Sequence, residues 1–311
     1  MAQNTVAAPA QTKPKKQKPS QFSGMSKALV RRETISAYLF LLPSLLFFVS
    51  FVVVPMFICV VYSFLEYDLG GVKGFAWLDN YIKLFQDPVF HRGFLNTVLI
   101  VVVAVPTVAA FSLWVSSAIY KMHPLPRSFF RCVFYLPVVT GSVAITVVWK
   151  WILDPYNGIL NQVAGTSGFD WLGNQKTAIW FIILILFTTS IGQPIVLYVA
   201  ALGNVDQSLV EAAQVDGATK LQVFWKIKWP QIMPTTLYVL VITTINSFQC
   251  FALIQLLTKG GPLNSTMTIM YQVYDTAYRL NDLGYANAIG VVLAIIIAIF
   301  SAVQFKLAKT E

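Results

Sequence analysis

The chain has 311 residues, of which 57% are hydrophobic and 11% are charged, and its formal net charge is +9. Soluble domains carry about 25% charged residues, so this composition excludes a soluble globular protein and indicates an integral membrane protein. The positive charge could suggest nucleic-acid binding, but the basic residues lie beside apolar segments, where membrane topology explains them better. We therefore expect a lipid bilayer around the chain and no nucleic-acid partner.

Residues 1–35 combine lysine and arginine with proline, glutamine, serine and alanine. This composition predicts a disordered, basic cytoplasmic tail. A cleaved signal peptide is the alternative, but the apolar segment that follows is longer than a signal-peptide core, and no small-residue cleavage site comes after it. We therefore interpret that segment as an uncleaved first membrane span.

Six apolar segments are long enough to cross about 30 Å of hydrocarbon as helices that rise about 1.5 Å per residue. These predicted spans cover residues 36–64, 94–120, 131–151, 178–203, 234–257 and 285–306. They predict an all-α integral membrane protein, with a six-span domain at 36–306 and a short tail at 307–311. An even number of spans places both termini on one side, which then carries 15 of the 22 lysine and arginine residues. The positive-inside rule makes that side the cytoplasm.

Motifs of enzymes and metal sites are missing from the sequence. No GxxxxGK[ST] phosphate-binding loop occurs, so the chain should not bind ATP in the usual way. The three cysteines, Cys59, Cys132 and Cys250, fall in apolar runs and are interpreted as small buried hydrophobic residues. We expect no catalytic residue, metal or cofactor in this chain.

The predicted cytoplasmic loop at 204–233 is an island of charge between apolar segments. Asp206 is a predicted N-cap for a short helix, and Gly217 can adopt the left-handed conformation that ends it. Thr219 and Gln222 have the spacing of a capping box for a second helix.

Two prolines follow that second predicted helix. Pro230 and Pro234 should end it, because proline has no backbone N–H to donate. By composition alone, the loop is an ordinary connector between spans.

The same loop contains a longer motif, EAA-x-x-DGA followed by a phenylalanine and a proline. The matching residues are Glu211, Ala212, Ala213, Asp216, Gly217, Ala218, Phe224 and Pro230. The motif resembles the EAA loop of permease subunits in ABC importers, in the form found in the carbohydrate-uptake branch. The resemblance implies a type I importer permease fold, in which this loop is a coupling helix that docks into a cleft on the cytoplasmic ATPase.

Other stretches carry the same resemblance over about residues 36–306. They are Asn80-Tyr81, Asp87-Pro88, Phe90, Asn96-Thr97, Leu136-Pro137, Trp149, Gly158, Asn161 and Thr258-Lys259-Gly260-Gly261-Pro262. The resemblance implies a multi-pass protein of the bacterial cytoplasmic membrane that works within a complex. The implied partners are a second homologous permease, two ATP-binding subunits and an extracytoplasmic solute-binding protein. ATP and magnesium would bind to the ATPase, and this chain, not itself an enzyme, would form half of the passage for a sugar, in particular an oligosaccharide.

Polar residues inside two predicted spans are the candidate sugar contacts. The candidates are Thr243, Asn246, Ser247 and Cys250 in span five, and Thr189, Ser190 and Gln193 in span four. The first four have the i, i+3, i+4, i+7 spacing of one helical stripe. In span four, Gly192 and Pro194 should interrupt the helix and free backbone polar groups. Resemblance to the maltose permease also implies a substrate in these spans. The alternative is polar contact between helices.

Two other functions stay open. A permease for another solute, such as glycerol phosphate, would require arginine or lysine near the bilayer midplane, and we find neither there. A stand-alone secondary transporter would require carboxylate relays at the midplane, which is nearly free of ionisable residues.

Overall fold

The computed structural model describes the backbone of residues 27–308 and the side chains of residues 31–306. The predicted tails at 1–26 and 309–311 lie outside the described residues. The helices are α1 Lys27–Phe48, α2 Val54–Tyr62, α3 Asp79–Gln86, α4 Pro88–Ile119, α5 Pro124–Val139, α6 Ser142–Ile152, α7 Ile159–Ala164, α8 Ala178–Ser190, α9 Gly192–Gly203, α10 Gln207–Val215, α11 Lys220–Val223, α12 Trp229–Phe248, α13 Ala252–Leu257, α14 Ile269–Tyr278 and α15 Leu283–Ala308.

Of the described residues, 27–56 belong to one compact unit and 57–308 to another. In the first unit, α1 begins at Lys27, within the tail predicted from composition. It continues through a π-helical turn at Val49–Val53 into α2. Pro55 lies in the first turn of α2, directly after this π-turn.

The described chain has four helical segments that are long and apolar enough to cross a membrane. Two bent pairs raise the number to six if each pair is one span: α5 with α6, bent by 97°, and α8 with α9, bent by 43°. The first bend lies at Gly141 and the second before Gly192. The predicted interruption of span four at Gly192 is therefore present.

Small residues hold the helices of the second unit together. Ser112 and Ser116 of α4 donate hydrogen bonds to the backbone carbonyls of Ile191 (3.3 Å) and Ile195 (3.0 Å). A Cβ atom on Gly192 would lie 2.5 Å from the carbonyl oxygen of Phe134, so α9 crosses α5 at backbone distance there. In hydrocarbon, such close packing and hydrogen bonding drive helix association, because burying apolar area gains little.

The expectation of an all-α chain is wrong in one place. Within residues 27–308, β1 Leu65–Asp68 and β2 Gly71–Phe75 form an antiparallel hairpin. Gly71 has φ +108°, a turn conformation that glycine adopts readily. Inside lipid, the unpaired backbone groups at the edges of a hairpin would have no hydrogen-bond partners, which favours helices there. Outside the hydrocarbon these groups can hydrogen-bond to water, so a hairpin is stable there.

The prediction that Pro230 and Pro234 end the second loop helix is also wrong. The chain runs from α11 through a π-helical segment, Phe224–Lys228, directly into α12. Pro230 lies in the first turn of α12 and Pro234 lies inside the same helix, so neither proline ends the helix. The predicted span at 234–257 is interrupted instead near its other end, between Phe248 and Ala252.

Candidate functional site

The loop between α9 and α12 folds as a helix, a tight turn and a second helix. Asp206 caps α10 by accepting hydrogen bonds from the Ser208 backbone (2.9 Å) and hydroxyl (2.7 Å), and these bonds hold the pKa of Asp206 below its ordinary value. Thr219 and Gln222 form the predicted capping box. Gly217, between the helices, has φ +80°. The predicted N-cap, turn and capping box are confirmed, because each depends on residues close in sequence.

One side of the loop is anchored in the protein. Val210 and Val223 are buried with Leu202, Val205 and Ile232. From the motif, Ala213 and Ala218 pack against this cluster. We call these five buried residues the loop base.

The other side of the loop faces outward. Five of the eight motif residues are exposed, namely Glu211, Ala212, Asp216, Gly217 and Pro230, while Phe224 is half-buried. Two apolar residues outside the motif, Val215 and Leu221, are 88% and 68% exposed. Sequence reasoning missed them, although isolated apolar residues in a charged loop are a usable signal. We call Glu211, Val215, Asp216 and Leu221 the loop tip; it offers an exposed carboxylate pair and apolar anchors to a partner.

The seven predicted sugar contacts do not share one surface. Thr243 and Ser247 are buried in α12, whereas Asn246 is exposed. Cys250 is buried beyond the end of α12, so the predicted stripe extends along the helix only to Ser247.

In span four the hydroxyl of Thr189 donates to the carbonyls of Ile185 (3.1 Å) and Leu186 (2.9 Å), as expected for a local helix contact. Ser190 is half-buried at the end of α8. Of the seven residues, only Asn246 is exposed, and Gln193 is half-buried.

Gln193 lines a cavity of about 500 Å³ between α5 and α9, together with Ser128, Arg131, Cys132 and Tyr135. Arg131 lies about 10 Å along α5 from Pro124, at 1.5 Å per residue. Arg131, at the start of the predicted span at 131–151, was expected to belong with the charges of the cytoplasmic loop. Proline at the first position of a helix was the missed signal, because α5 starts at Pro124. The cavity therefore combines a guanidinium, an amide and hydroxyl groups, which can bind sugar hydroxyls or an anion.

Three residues of the other family-like stretches, Asn161, Asp87 and Asn80, lie on the opposite side of the bent spans. Each makes several hydrogen bonds that hold neighbouring segments together. The buried Asn161 amide donates to the carbonyls of Asp154, Pro155 and Phe169 at 2.9–3.1 Å. Its oxygen accepts from the Thr166 hydroxyl and the Trp171 indole, both at 2.8 Å. One side chain thus holds the loop from Asp154 to Trp171.

Asp87 has a similar role for three helices. It caps α4 at Val89 (2.8 Å) and accepts hydrogen bonds from Gln272 of α14 (2.9 Å) and Tyr285 of α15 (2.8 Å). Asn80 of α3 donates to the carbonyls of Ser63 (2.9 Å) and Leu65 (3.1 Å). These matched residues therefore shape this side of the protein rather than offering contacts themselves.

Metal binding has no support among the described residues. Within 27–308, no group of three or more histidine, cysteine, aspartate or glutamate residues could hold a metal ion.

Comparisons with known proteins agree with this arrangement. The family model for the binding-protein-dependent transport system inner membrane component matches residues 88–310. The probable ABC transporter permease protein YurN of Bacillus subtilis (strain 168) is 34% identical over 289 residues, 91% of this chain and 99% of YurN. The multiple sugar-binding transport system permease protein MsmF of Streptococcus mutans serotype c is 30% identical over 276 residues, 87% of this chain and 94% of MsmF.

A solved structure is also similar. It is a bacterial alginate ABC transporter in complex with an alginate pentasaccharide-bound periplasmic protein, and one of its chains matches with a TM-score of 0.76 and 23% identity over 89% of this chain and 94% of that chain. This likeness is one of fold.

Proposed function

Because the chain belongs to the family of binding-protein-dependent transport system inner membrane components, we propose that it is a transmembrane subunit of an ATP-driven sugar importer. The chain is a multi-pass membrane protein. In the proposed type I arrangement each bent pair is one span, which gives six spans with both termini in the cytoplasm of a bacterial inner membrane. The capped loop between α9 and α12 is the observation that carries this function.

The loop tip is the proposed contact with the ATPase. It lies between two capped helices whose inner faces pack on the loop base, so force applied to the tip reaches α9 and α12 through packed side chains. ATP and magnesium bind to the two ATPase subunits in this scheme. This chain transmits their motion and carries out no chemistry of its own.

The outer side is the proposed contact with a solute-binding protein. The hydrogen bonds of Asn161 and Asp87 fix its loops in shape, and a preformed surface loses little conformational entropy on binding. A second, homologous permease completes the passage in this scheme. The α5–α9 cavity is open on one side in this chain, and the second permease would close that side.

Reconstitution in proteoliposomes tests this function. We expect ATP-dependent sugar uptake when the chain is co-assembled with a sister permease, an ATPase and a binding protein encoded beside it, and none from the chain alone. Uptake by the chain alone, or a working homodimer of it with the ATPase, would refute the heteromeric arrangement.

Two variants test the sugar contacts. In Gln193→Ala and Asn246→Ala complexes, we expect the half-saturating sugar concentration to rise about tenfold for at least one sugar of a panel, the effect of one lost hydrogen bond. Assembly and basal ATPase activity should not change. Gln175→Ala, at an exposed position outside the predicted spans, is the matched control. Unchanged kinetics in both variants for every sugar would mean that these residues are not contacts.

An anionic solute, such as glycerol phosphate, is a second candidate, and Arg131 in the cavity is the observation that favours it. A guanidinium binds phosphate or carboxylate through paired hydrogen bonds. Arg131→Gln in the same panel separates the two candidates, since it should impair uptake of anionic solutes and spare neutral sugars.

A further inference from the structure

Three cationic side chains converge on one tyrosine where helices end. Lys121 follows α4, Arg127 lies in the first turn of α5, and Lys228 directly precedes α12. The Lys228 ammonium donates a 2.6 Å hydrogen bond to the Tyr120 hydroxyl. Arg127 donates to the backbone carbonyl of Tyr120 at 3.3 Å. We call Lys121, Arg127 and Lys228 the basic cluster.

The ammonium groups are close to one aromatic ring. The Lys228 nitrogen lies 5.1 Å and the Lys121 nitrogen 5.8 Å from the centre of the Tyr120 ring. Cation–π attraction to the ring stabilises each ammonium group. Together with Arg127 on the Tyr120 carbonyl, the two ammonium groups concentrate positive charge around one residue, which favours an anion beside them.

No protein carboxylate supplies that anion. The ion pairs found among the described residues join Lys73 to Asp68, Lys83 to Asp282 and Arg279 to Asp275. None of the three residues of the basic cluster pairs with a carboxylate within the part of the chain that the structure describes. Lys228 and Arg127 are nevertheless half-buried, which makes a bound counter-ion more favourable than for freely exposed lysines.

The surroundings favour a lipid as the source of the anion. Trp225 and Trp229, with ring centres 5.3 Å apart, flank Lys228 in the chain, and tryptophan is enriched at the level of lipid headgroups. Lys121 and Arg127 lie at helix ends, and Lys228 lies in the π-helical segment that leads into α12. Basic pockets between spans on the cytoplasmic side bind phospholipid headgroups. The loop tip, proposed to meet the ATPase, is a separate surface formed by residues 211–221.

We propose that the basic cluster binds the phosphate of an anionic phospholipid in the cytoplasmic leaflet, given the orientation proposed above. Tyr120 also packs against the loop base. A phosphate held by Lys121, Arg127 and Lys228 therefore fixes α4, α5 and the start of α12 relative to the loop. Bound lipid braces the loop from its membrane side.

Lipid binding can be measured on the purified chain, without substrate. The chain is placed in nanodiscs of phosphatidylcholine containing graded phosphatidylglycerol, and retained lipid is counted by native mass spectrometry. We expect selective retention of phosphatidylglycerol by the wild type. At about 1 kcal/mol per cation near an anionic surface, the triple variant Lys121→Gln, Arg127→Gln, Lys228→Gln should bind about 100-fold more weakly.

Single variants test the proposal even if the triple variant fails to fold. Lys121 is exposed, so Lys121→Gln should fold normally and bind phosphatidylglycerol about fivefold more weakly. Lys176→Gln, at an exposed position outside the cluster, should match the wild type. Equal retention in the wild type and in Lys121→Gln would overturn the proposal.

Two further outcomes would also overturn it. Inorganic phosphate that stabilises the wild type in pure phosphatidylcholine nanodiscs, without selective lipid retention, would identify a site for a free anion. Loss of ATPase association in the triple variant, with lipid retention unchanged, would identify an acidic surface of the ATPase as the partner.

Discussion

Replacing Val215 or Leu221 with aspartate should abolish stable association of the ATPase while the chain still folds and inserts. The two side chains are 88% and 68% exposed, and substitutions at such positions change stability by about 0.5 kcal/mol or less. In a docked complex the same carboxylate would be buried without a partner, at a cost of about 2–5 kcal/mol. Co-purification from membranes should therefore fall by 30-fold or more.

Matched controls lie on the other side of the bent spans. Val163 is 82% exposed and Leu280 is 68% exposed, so Val163→Asp and Leu280→Asp introduce the same charge at comparable positions. These two variants should retain the ATPase. If Val215→Asp and Leu221→Asp also retain it, the loop tip is not the docking surface.

The loop was predictable from sequence because its structure depends on short-range contacts. The caps at Asp206 and Thr219 and the turn at Gly217 each follow from residues within four positions. The prolines at 230 and 234 were misjudged because both lie in a helical segment that continues past them, Pro230 in the first turn of α12 and Pro234 inside it. Local propensity predicts the hydrogen bond lost at a proline, not whether the rest of the helix tolerates the loss.

The spans were harder to define than the loop. Hydropathy locates apolar segments but does not distinguish a straight helix from a bent pair, such as the pair bent by 97° at Gly141. The hairpin at 65–75 was missed because it is short and lies next to a span. Its glycine-rich turn, Gly70-Gly71, was the usable signal.

The sequence does not determine which side of α12 the other helices cover, so it could not predict which residues of the polar stripe are exposed. Spacing places Thr243, Asn246 and Ser247 on one side of a helix, but only tertiary packing decides which edge of that side is covered. In the structure Asn246 is exposed while its two neighbours are buried. Arg131 was missed for a related reason, since a charge near a span end can belong to a loop or to a cavity.

Asn161→Ala should damage the outer side of the protein and leave the cytoplasmic side intact. The Asn161 side chain is 1% exposed, and its loss removes the hydrogen bonds to the carbonyls of Asp154, Pro155 and Phe169. It also leaves the Trp171 indole without its acceptor. At about 1–3 kcal/mol for each buried group left unpaired, with some groups regaining water, we expect a local cost of about 3 kcal/mol or more.

The Asn161→Ala variant should distinguish the proposed ATPase-docking surface at the loop tip from the proposed binding-protein surface on the outer side. The Asn161→Ala complex should still co-purify with the ATPase, because the loop tip is unchanged, but the binding protein should no longer stimulate ATP hydrolysis. The thermal midpoint of the chain should fall by several degrees. Asn157→Ala, an exposed asparagine in the same loop, is the matched control and should behave as the wild type. If Asn161→Ala retains both the midpoint and the stimulation of Asn157→Ala, then the Asn161 hydrogen bonds do not maintain this surface, and the binding protein must be recognised elsewhere on the complex.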